Sequence, residues 1–290
     1  MKNYRSMLFV PATDSGKINK ALASNADCVI LDLEDSVALS EKKTAQVVVK
    51  NLLRDQGNRH IYVRVNSIDT PFLFGDLTTI IPSRPTGIML PKTESADHIK
   101  WVDWLMGQLE RESGLPAGQI GLIALIETGC GVIQAASIAG ASGRLKCIAF
   151  GAIDYTLDIG TKLSKEGHEL FYARAHIVAA SRAGGCEQPI DTVYPNFRDA
   201  EGLKRESEFV RNLGYQGKMV IHPGQIEIVH QVFSPTPDEI SYARKVVQAF
   251  ETAEKQGIAS VNLDGKMIDY PVMKRAKQLL KNVDNGGVIK

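Results

Sequence analysis

The chain has 290 residues, with 34 Lys and Arg set against 33 Asp and Glu. That balance offers no electrostatic footprint for nucleic acid or for an acidic membrane surface. No apolar run approaches membrane-spanning length, and MKNYRSMLFVPATDSG carries too short an apolar run for a signal peptide, so a cytoplasmic protein with neither kind of partner is expected.

Apolar, β-branched runs recur along the chain with helix-like segments between them. The first is SMLFV, ending before Pro11; Asp14 then precedes GKINKALAS, a short helix. The second is DCVILDLED (27–35), followed by a helix from about Ser40 to Leu53 with apolar spacing at Ala45, Val48, Val49 and Leu52. The third and fourth are HIYVRVN (60–66) and GIMLPK (87–92), the latter followed by an amphipathic helix from about Ser95 to Glu112. IGLIALIETG and KCIAFGAIDYTLDIG supply the fifth and sixth, with a connecting helix between them. A helix through FYARAHIVAASRAG precedes the seventh, QPIDTVY, and DAEGLKRESEFVRNLG precedes the eighth, KMVIH. Eight strands alternating with helices predict a (β/α)8 TIM barrel over 1–235, the rival being a doubly wound open sheet.

Residues 236–290 lie outside this repeat. Thr236-Pro237-Asp238-Glu239 is a capping pattern that opens a long helix. A turn at Asp264-Gly265 and a short helix follow, giving a helical extension suited to a lid or an arm.

In such a barrel the chemistry sits at the C-terminal ends of the strands. Those ends carry Asp32, Glu34 and Asp35, then Arg64 and Asn66, then Lys92, Glu127, Asp154, Asp191 and His222. Period-two alternation puts Asp32 and Glu34 on one face, opposite Leu31 and Leu33, and puts Arg64 with Asn66, opposite Val63 and Val65. Glu127 and Asp154 end neighbouring parallel strands. Side by side, they repel each other unless one is protonated or a cation lies between them. Two carboxylates with water and substrate in the other positions are a common Mg2+ site. The plain alternative is that each acid caps the helix after its strand. One such residue is explained by that alternative; the whole set at one mouth is not, because buried charge is costly without a partner.

Other chemistry finds little support. The cysteines at 28, 130, 147 and 186 form no CxxC pair. Cys28 and Cys147 fall in core-like runs. Cys130 follows Glu127 closely and reads as a small residue at a helix start rather than a nucleophile. No GxGxxG, HExxH or GxSxG occurs, and the six histidines show no ligand spacing.

With these residues assembled, the sequence resembles the citrate lyase β-subunit-like family of the HpcH/HpaI aldolase superfamily. The motifs are RSMLFVPA (5–12), LDLEDSV (31–37), VRVN (63–66), MLPK (89–92), IETG (126–129), FGAIDY (150–155), PIDTV (189–193), KMVIHPGQI (218–226) and FSPTPDEI (233–240). The resemblance implies a TIM barrel, a homo-oligomer (a trimer or hexamer) and Mg2+-dependent cleavage of a carbon–carbon bond in an acyl-CoA substrate. It implies Glu127 and Asp154 as metal ligands and Arg64 as the substrate arginine. Lys92 and Glu127 join Arg64 as substrate-binding candidates, and Asp32 and Glu34 support them in the catalytic set. GKMIDYP (265–271) is similar to a lid motif that reaches a neighbouring subunit in malyl-CoA and citramalyl-CoA lyases, which gives Asp269 an acid/base role. A helix cap is its plain alternative. Arg5 and Lys43 are candidates for a CoA phosphate contact on position alone, the alternative being an ordinary solvated charge.

The expected activity is a citramalyl-CoA lyase, with malyl-CoA as the next substrate. The alternatives are the β subunit of a multi-subunit citrate lyase and a scaffold that kept the fold without the chemistry. Arg64, Glu127, Asp154 and Asp269 argue against the scaffold.

Overall fold

The computed structural model describes residues 4–54, 57 and 59–286; the ends of the expected segments 1–235 and 236–290 lie outside the described residues. Two compact units are present, Tyr4–Gln231 and the chain from Val232 on.

The first unit is a closed barrel of eight parallel strands in sequence order. They are β1 (Ser6–Pro11), β2 (Cys28–Asp32), β3 (Ile61–Arg64), β4 (Gly87–Leu90), β5 (Gly121–Ile126), β6 (Leu145–Phe150), β7 (Ile190–Asp191) and β8 (Gly217–Val220). The intervening helices are α1 (Ser15–Leu22), α2 (Lys42–Arg54), α3 (Leu73–Ile80), α4 (Ala96–Glu112), α5 (Gly129–Ile133), α6 (Ala135–Ala139), α7 (Ala152–Asp158), α8 (Phe171–Ala183) and α9 (Ala200–Leu213). The α10 helix (Ile226–Phe233) follows β8. Two details differ from the sequence expectation. The single helix between β5 and β6 is broken into α5 and α6 at Gln134, which ends one turn and starts the next. The α3 helix was not anticipated; it is only eight residues long, and its buried stripe of Leu73, Leu77 and Ile80 is interrupted by the acid Asp76.

Alternation along each strand sorts the side chains. Met7, Cys28, Ile30, Tyr62, Met89, Ile123, Leu125, Cys147, Ala149, Ile190 and Met219 form one buried cluster. Extending that parity by one step brings Asp32, Arg64, Glu127, Gly151 and Thr192 to the C-terminal mouth, and all five line one cavity there. Tyr62 fills the interior lower down. It fits because Gly87 has no side chain: a Cβ there would lie 2.2 Å from the tyrosine ring.

The same parity corrects the expectation for Asp191. Ile190 points inward, so Asp191 points out toward the helices and does not join the mouth. There it is fully buried and accepts from Arg174 Nε (2.9 Å) and Nη2 (3.1 Å) of α8 and from Lys218 Nζ (2.5 Å) of β8. Glu206 of α9 also meets Lys218 (2.6 Å) and Arg174 (3.2 Å). Two cations and two anions close on themselves and tie α8 and α9 to the barrel wall.

In the second unit, α11 (Pro237–Glu254) packs on α12 (Tyr270–Gly286) through Ala243, Val246, Phe250, Met273 and Ala276. Thr236 and Glu239 form the anticipated capping box. Between the helices β9 (Val261–Leu263) and β10 (Lys266–Ile268) form an antiparallel hairpin. Asp264 (φ 51°) and Gly265 (φ 79°) both have positive φ, as a tight two-residue hairpin turn requires. The sequence reading found this turn but not the three-residue strands beside it. The final helix also runs further than a short one.

Removing the charge of Asp191 leaves two buried cations short of an anion. Asp191→Asn is expected to cost about 3–5 kcal/mol of stability at neutral pH. Burial disfavours the Asp191 charge, but Arg174 and Lys218 hold its carboxyl below the usual carboxylate range. Its contribution is therefore full above the unfolded-chain value of 3.8 and fades as pH falls toward the lower folded value. Denaturant titrations of both proteins at pH 7 and in acid check this: the gap between them narrows in acid.

Candidate active site

Arg64 lies at the centre of the mouth. Its Nε donates to Asp32 Oδ1 and its Nη2 to Asp32 Oδ2, each at 2.7 Å. Asp32 also accepts from the Glu34 backbone N–H (2.9 Å) and from Ser36 Oγ (2.5 Å). Burial opposes the charge of Asp32, yet Arg64, Ser36 and the backbone hold its carboxyl below the usual range. The surrounding carboxylates of Asp32, Glu34 and Glu127 overcome the burial of Arg64 and keep its guanidinium charged. The Phe9 ring lies under it, 4.9 Å from the guanidinium carbon.

Glu34 links this pair to Lys92. Its Oε1 accepts from Lys92 Nζ at 2.5 Å, and its Oε2 lies 3.1 Å from Arg64 Nη1 without hydrogen-bond geometry. Burial pushes its carboxyl up in spite of both cations. Lys92 has a positive φ of 48°, rare for a residue with a side chain. This turn directs its backbone N–H onto Glu127 Oε1 at 2.9 Å, while its ammonium reaches Glu34.

Glu127 is 2% exposed. Burial, then the Glu34 and Asp154 carboxylates, push its carboxyl up to about 8, against the opposing pull of Arg64 and the Lys92 N–H. Gly151 makes room for it: a Cβ there would sit 2.6 Å from Glu127 Oε2. Asp154 lies in the first turn of α7, whose start is fixed by the Ala152 N–H on Thr192 Oγ1 at 2.9 Å. Its far end is tied back to the β5 exit by Gly129 N–H on Asp158 Oδ2 at 2.7 Å. The two segments that carry Glu127 and Asp154 are thus fastened to each other.

Asp32, Arg64, Glu127 and Asp154 line a cavity of about 700 Å³, ample for a small-molecule substrate. Glu34 and Lys92 contact Arg64 and Glu127. His222, also on the cavity wall, accepts the Gly224 N–H on Nδ1 (3.0 Å) and stacks on Phe197. Asn66 is held by Asp76 and the Leu33 carbonyl. Asp269 belongs to the second unit, where its Oδ1 accepts the Val272 N–H at 3.1 Å and caps α12. Arg5 does not serve the mouth. It pairs with Asp27 at 2.7 Å, and both residues sit at strand beginnings, the opposite end of the barrel. Lys43 is exposed on α2. Ser6 Oγ also approaches His230 Nε2 there (2.8 Å), but Asp27 lies 3.5 Å from that same nitrogen. A catalytic triad needs the acid on the other nitrogen and an accessible serine, and Ser6 is fully buried.

One contributor escaped the sequence reading. Lys42 is buried and its Nζ donates to the carbonyls of Leu33 and Glu34, each at 2.7 Å, bracing the β2 exit. Its signal was present: Lys42 shares a helical stripe with Ala45, Val49 and Leu53.

The donor set fits a hard divalent ion. Glu127 carries a buried carboxylate whose ionisation burial and two neighbouring acids oppose, and a cation between it and Asp154 would relieve that cost. Oxygen donors of this kind suit Mg2+. Among the described residues no three acidic, His or Cys side chains converge as a ligand set, so most positions on such an ion would fall to water and substrate.

Comparison with known proteins agrees with this arrangement. The HpcH/HpaI aldolase/citrate lyase family matches residues 5–223, and the family of carbon–carbon bond lyases of the TIM-barrel fold matches 170–288. The chain is 40% identical to the citrate lyase subunit beta of Haemophilus influenzae over 99% of both chains. It is 36% identical to human mitochondrial citramalyl-CoA lyase, covering 94% of this chain and 83% of that one. Among solved structures, the CitE protein of Mycobacterium tuberculosis in complex with magnesium, acetoacetate and coenzyme A superposes with a TM-score of 0.77 at 30% identity, covering 97% of this chain and 98% of that one. The barrel, its charged mouth and these likenesses together make the chain a carbon–carbon lyase that belongs to the HpcH/HpaI aldolase/citrate lyase family.

Proposed function

We propose that the protein is a Mg2+-dependent lyase of 3-hydroxy-3-carboxyacyl thioesters, with citramalyl-CoA as the preferred substrate and malyl-CoA next. The observation that carries this reading is the charged Arg64 in one cavity with the acid pair Glu127 and Asp154. The magnesium bound to the M. tuberculosis protein supports the choice of ion.

Glu127 and Asp154 would hold the ion. When bound, Mg2+ supplies Lewis-acid polarisation of the substrate's hydroxyl and carboxylate oxygens. The chain's own groups do the rest. The substrate hydroxyl loses its proton to a base, the bond between the hydroxyl carbon and the thioester α-carbon breaks, and its electron pair passes into a thioester enolate. Arg64 faces the oxygen on which that charge develops. Asp32 holds the guanidinium fork by two bonds, so no reorganisation is needed at that moment. The enolate then takes a proton on carbon, giving a keto acid and an acyl thioester. Asp269 is the proton-transfer group, supplied by the C-terminal unit of a neighbouring copy in a homo-oligomer, a trimer or hexamer.

A second reading is favoured by the 40% identity over nearly the whole of both chains: the β subunit of a citrate lyase, acting on a citryl group carried by a protein thioester. One assay separates the readings. Purified protein with Mg2+ is given citramalyl-CoA, malyl-CoA, citryl-CoA or a citryl group on an acyl carrier protein, and keto-acid release is followed with and without EDTA. Pyruvate from citramalyl-CoA, abolished by EDTA, supports the first reading. Oxaloacetate from the carrier-bound substrate alone supports the second.

Glu127→Gln is expected to abolish turnover and weaken Mg2+ binding without unfolding the protein. It also makes a pH prediction. A folded value of about 8, against 4.5 unfolded, means that ionising Glu127 destabilises the metal-free fold progressively between those values. In EDTA the wild type should therefore lose stability relative to Glu127→Gln as pH rises from 5 to 8, by an amount on the order of a few kcal/mol. Added Mg2+ should restore it most at pH 8. Melting curves across that range measure both effects.

Asp269→Asn tests the base without disturbing the helix, because Asn caps as well as Asp. A fall in kcat of about 100-fold or more with an unchanged melting temperature is the expected result. Equal losses of both would reduce Asp269 to a cap.

A further inference from the structure

Both tryptophans of the chain, Trp101 and Trp104, stand on α4, 67% and 65% exposed. Ile99, Val102 and Met106 bury the opposite side of that helix. At 3.6 residues per turn, Asp97, Trp101, Trp104 and Arg111 share the outward stripe, and all four are exposed. A single exposed apolar residue needs no explanation, but two indoles on successive turns of one bare stripe do. A covered tryptophan removes about 150–250 Å² from water. The pair therefore offers roughly 200–330 Å² on each copy, enough for the centre of an interface that needs about 800 Å² per partner.

A second observation comes from Gly107, near the middle of the same helix. A Cβ built there would meet nothing nearer than 3.8 Å, where guanidinium nitrogens of Arg111 and Arg144 lie. Alanine would fit, and it would favour the helix more than glycine does. The notch at Gly107, overhung by Arg111, is thus not required by the packing of this chain on itself.

The symmetry of the stripe says what covers it. Asp97 and Arg111 each lie seven residues from Trp104, on opposite sides and with opposite charge. Trp101 and Gly107 each lie three residues from Trp104, again on opposite sides. Rotating a second copy about a two-fold axis through Trp104 makes the two α4 helices antiparallel. Each Trp104 then meets its counterpart. Trp101 of each copy meets the Gly107 notch of the other, against the Arg111 guanidinium, and Asp97 of each faces Arg111 of the other. A two-fold interface presents one patch to itself and must be self-complementary in this way. A different protein would impose no such match about the midpoint of the helix.

We propose that the outward face of α4 is a two-fold interface joining two copies of this chain through Trp101 and Trp104. The proposal does not rest on the lyase reading, since the cavity is lined by residues of other elements.

Sedimentation velocity and intrinsic fluorescence of the full chain test it together. These are the only tryptophans, so their emission reports on this face alone. Wild type should have twice the mass of Trp104→Lys, whatever larger ring either joins. The pairing constant of Trp104→Lys should be at least about thirtyfold weaker, as for a central aromatic anchor. Diluting the wild type should shift emission to the red and open it to iodide quenching over the same concentrations at which the mass halves. Asp97→Arg and Arg111→Asp should each weaken pairing about tenfold, by setting like charges against each other. Within one helix the two positions are about 21 Å apart, so they act on each other only between copies. The double variant Asp97→Arg with Arg111→Asp should therefore recover pairing toward the wild-type value. A wild type with the mass of Trp104→Lys, and with tryptophans open to iodide at every concentration, overturns the proposal and leaves the face to a different protein. A double charge variant that pairs as weakly as either single one overturns it as well.

Discussion

The bidentate pair of Arg64 and Asp32 is the interaction on which the mouth of the barrel depends. It joins the ends of β2 and β3 by two bonds of 2.7 Å and leaves a guanidinium, charged at any working pH, facing the cavity. Lysine would not substitute, since the fork of N–H donors is what fixes both position and orientation. The remaining acids are arranged around that fixed charge. Glu34 lies beside it, and Glu127 is moderated by it. Lys42 braces the β2 exit from below through the carbonyls of Leu33 and Glu34. A strand end braced in this way does not need its acids to find their own places.

Charge arithmetic separates the two kinds of buried ionic group in this molecule. Behind β7 and β8, Asp191 and Glu206 meet Arg174 and Lys218, two against two. Nothing remains to attract a ligand, and the cluster acts as a fastener. At the mouth, Asp32, Asp35, Glu127 and Asp154 line the cavity against Lys17, Lys20 and Arg64, four against three, while Glu34 is matched by Lys92. The excess is concentrated on Glu127, whose carboxyl is pushed up to about 8. An acid excess in a buried place is the electrostatic description of a cation site.

Much of this was legible in the sequence because a barrel strand announces itself. Runs such as GLIALI and LKCIAF are apolar on both faces, and the eight of them, separated by helices, admit few architectures. The mouth residues were legible for the same reason, since the step after each run leaves the core. Asp191 shows where this reasoning fails. Proximity to a strand end placed it in the mouth, while the parity of Ile190 sent it to the helices. Arg5 fails in a similar way, since its partner Asp27 is contributed by the next strand and no local pattern reports a contact across 22 residues. The positive φ of Lys92 and the space beside Gly151 were out of reach altogether. Both are properties of backbone geometry that only the assembled barrel imposes.

The cost of this arrangement is borne by the fold itself. Four of the site's groups, Asp32, Glu34, Glu127 and Arg64, are 12% exposed or less by side chain or residue, and Lys92 holds a strained backbone. Such features persist only where the surroundings over-determine them. Here the surroundings are the fastened α8 and α9, the Ala152–Thr192 and Gly129–Asp158 bonds, and a close-packed barrel interior. Stability is thus concentrated in a neutral outer network and spent at an acidic mouth. In the proposed reading, an ion and the substrate would complete the charge balance that the chain alone leaves open.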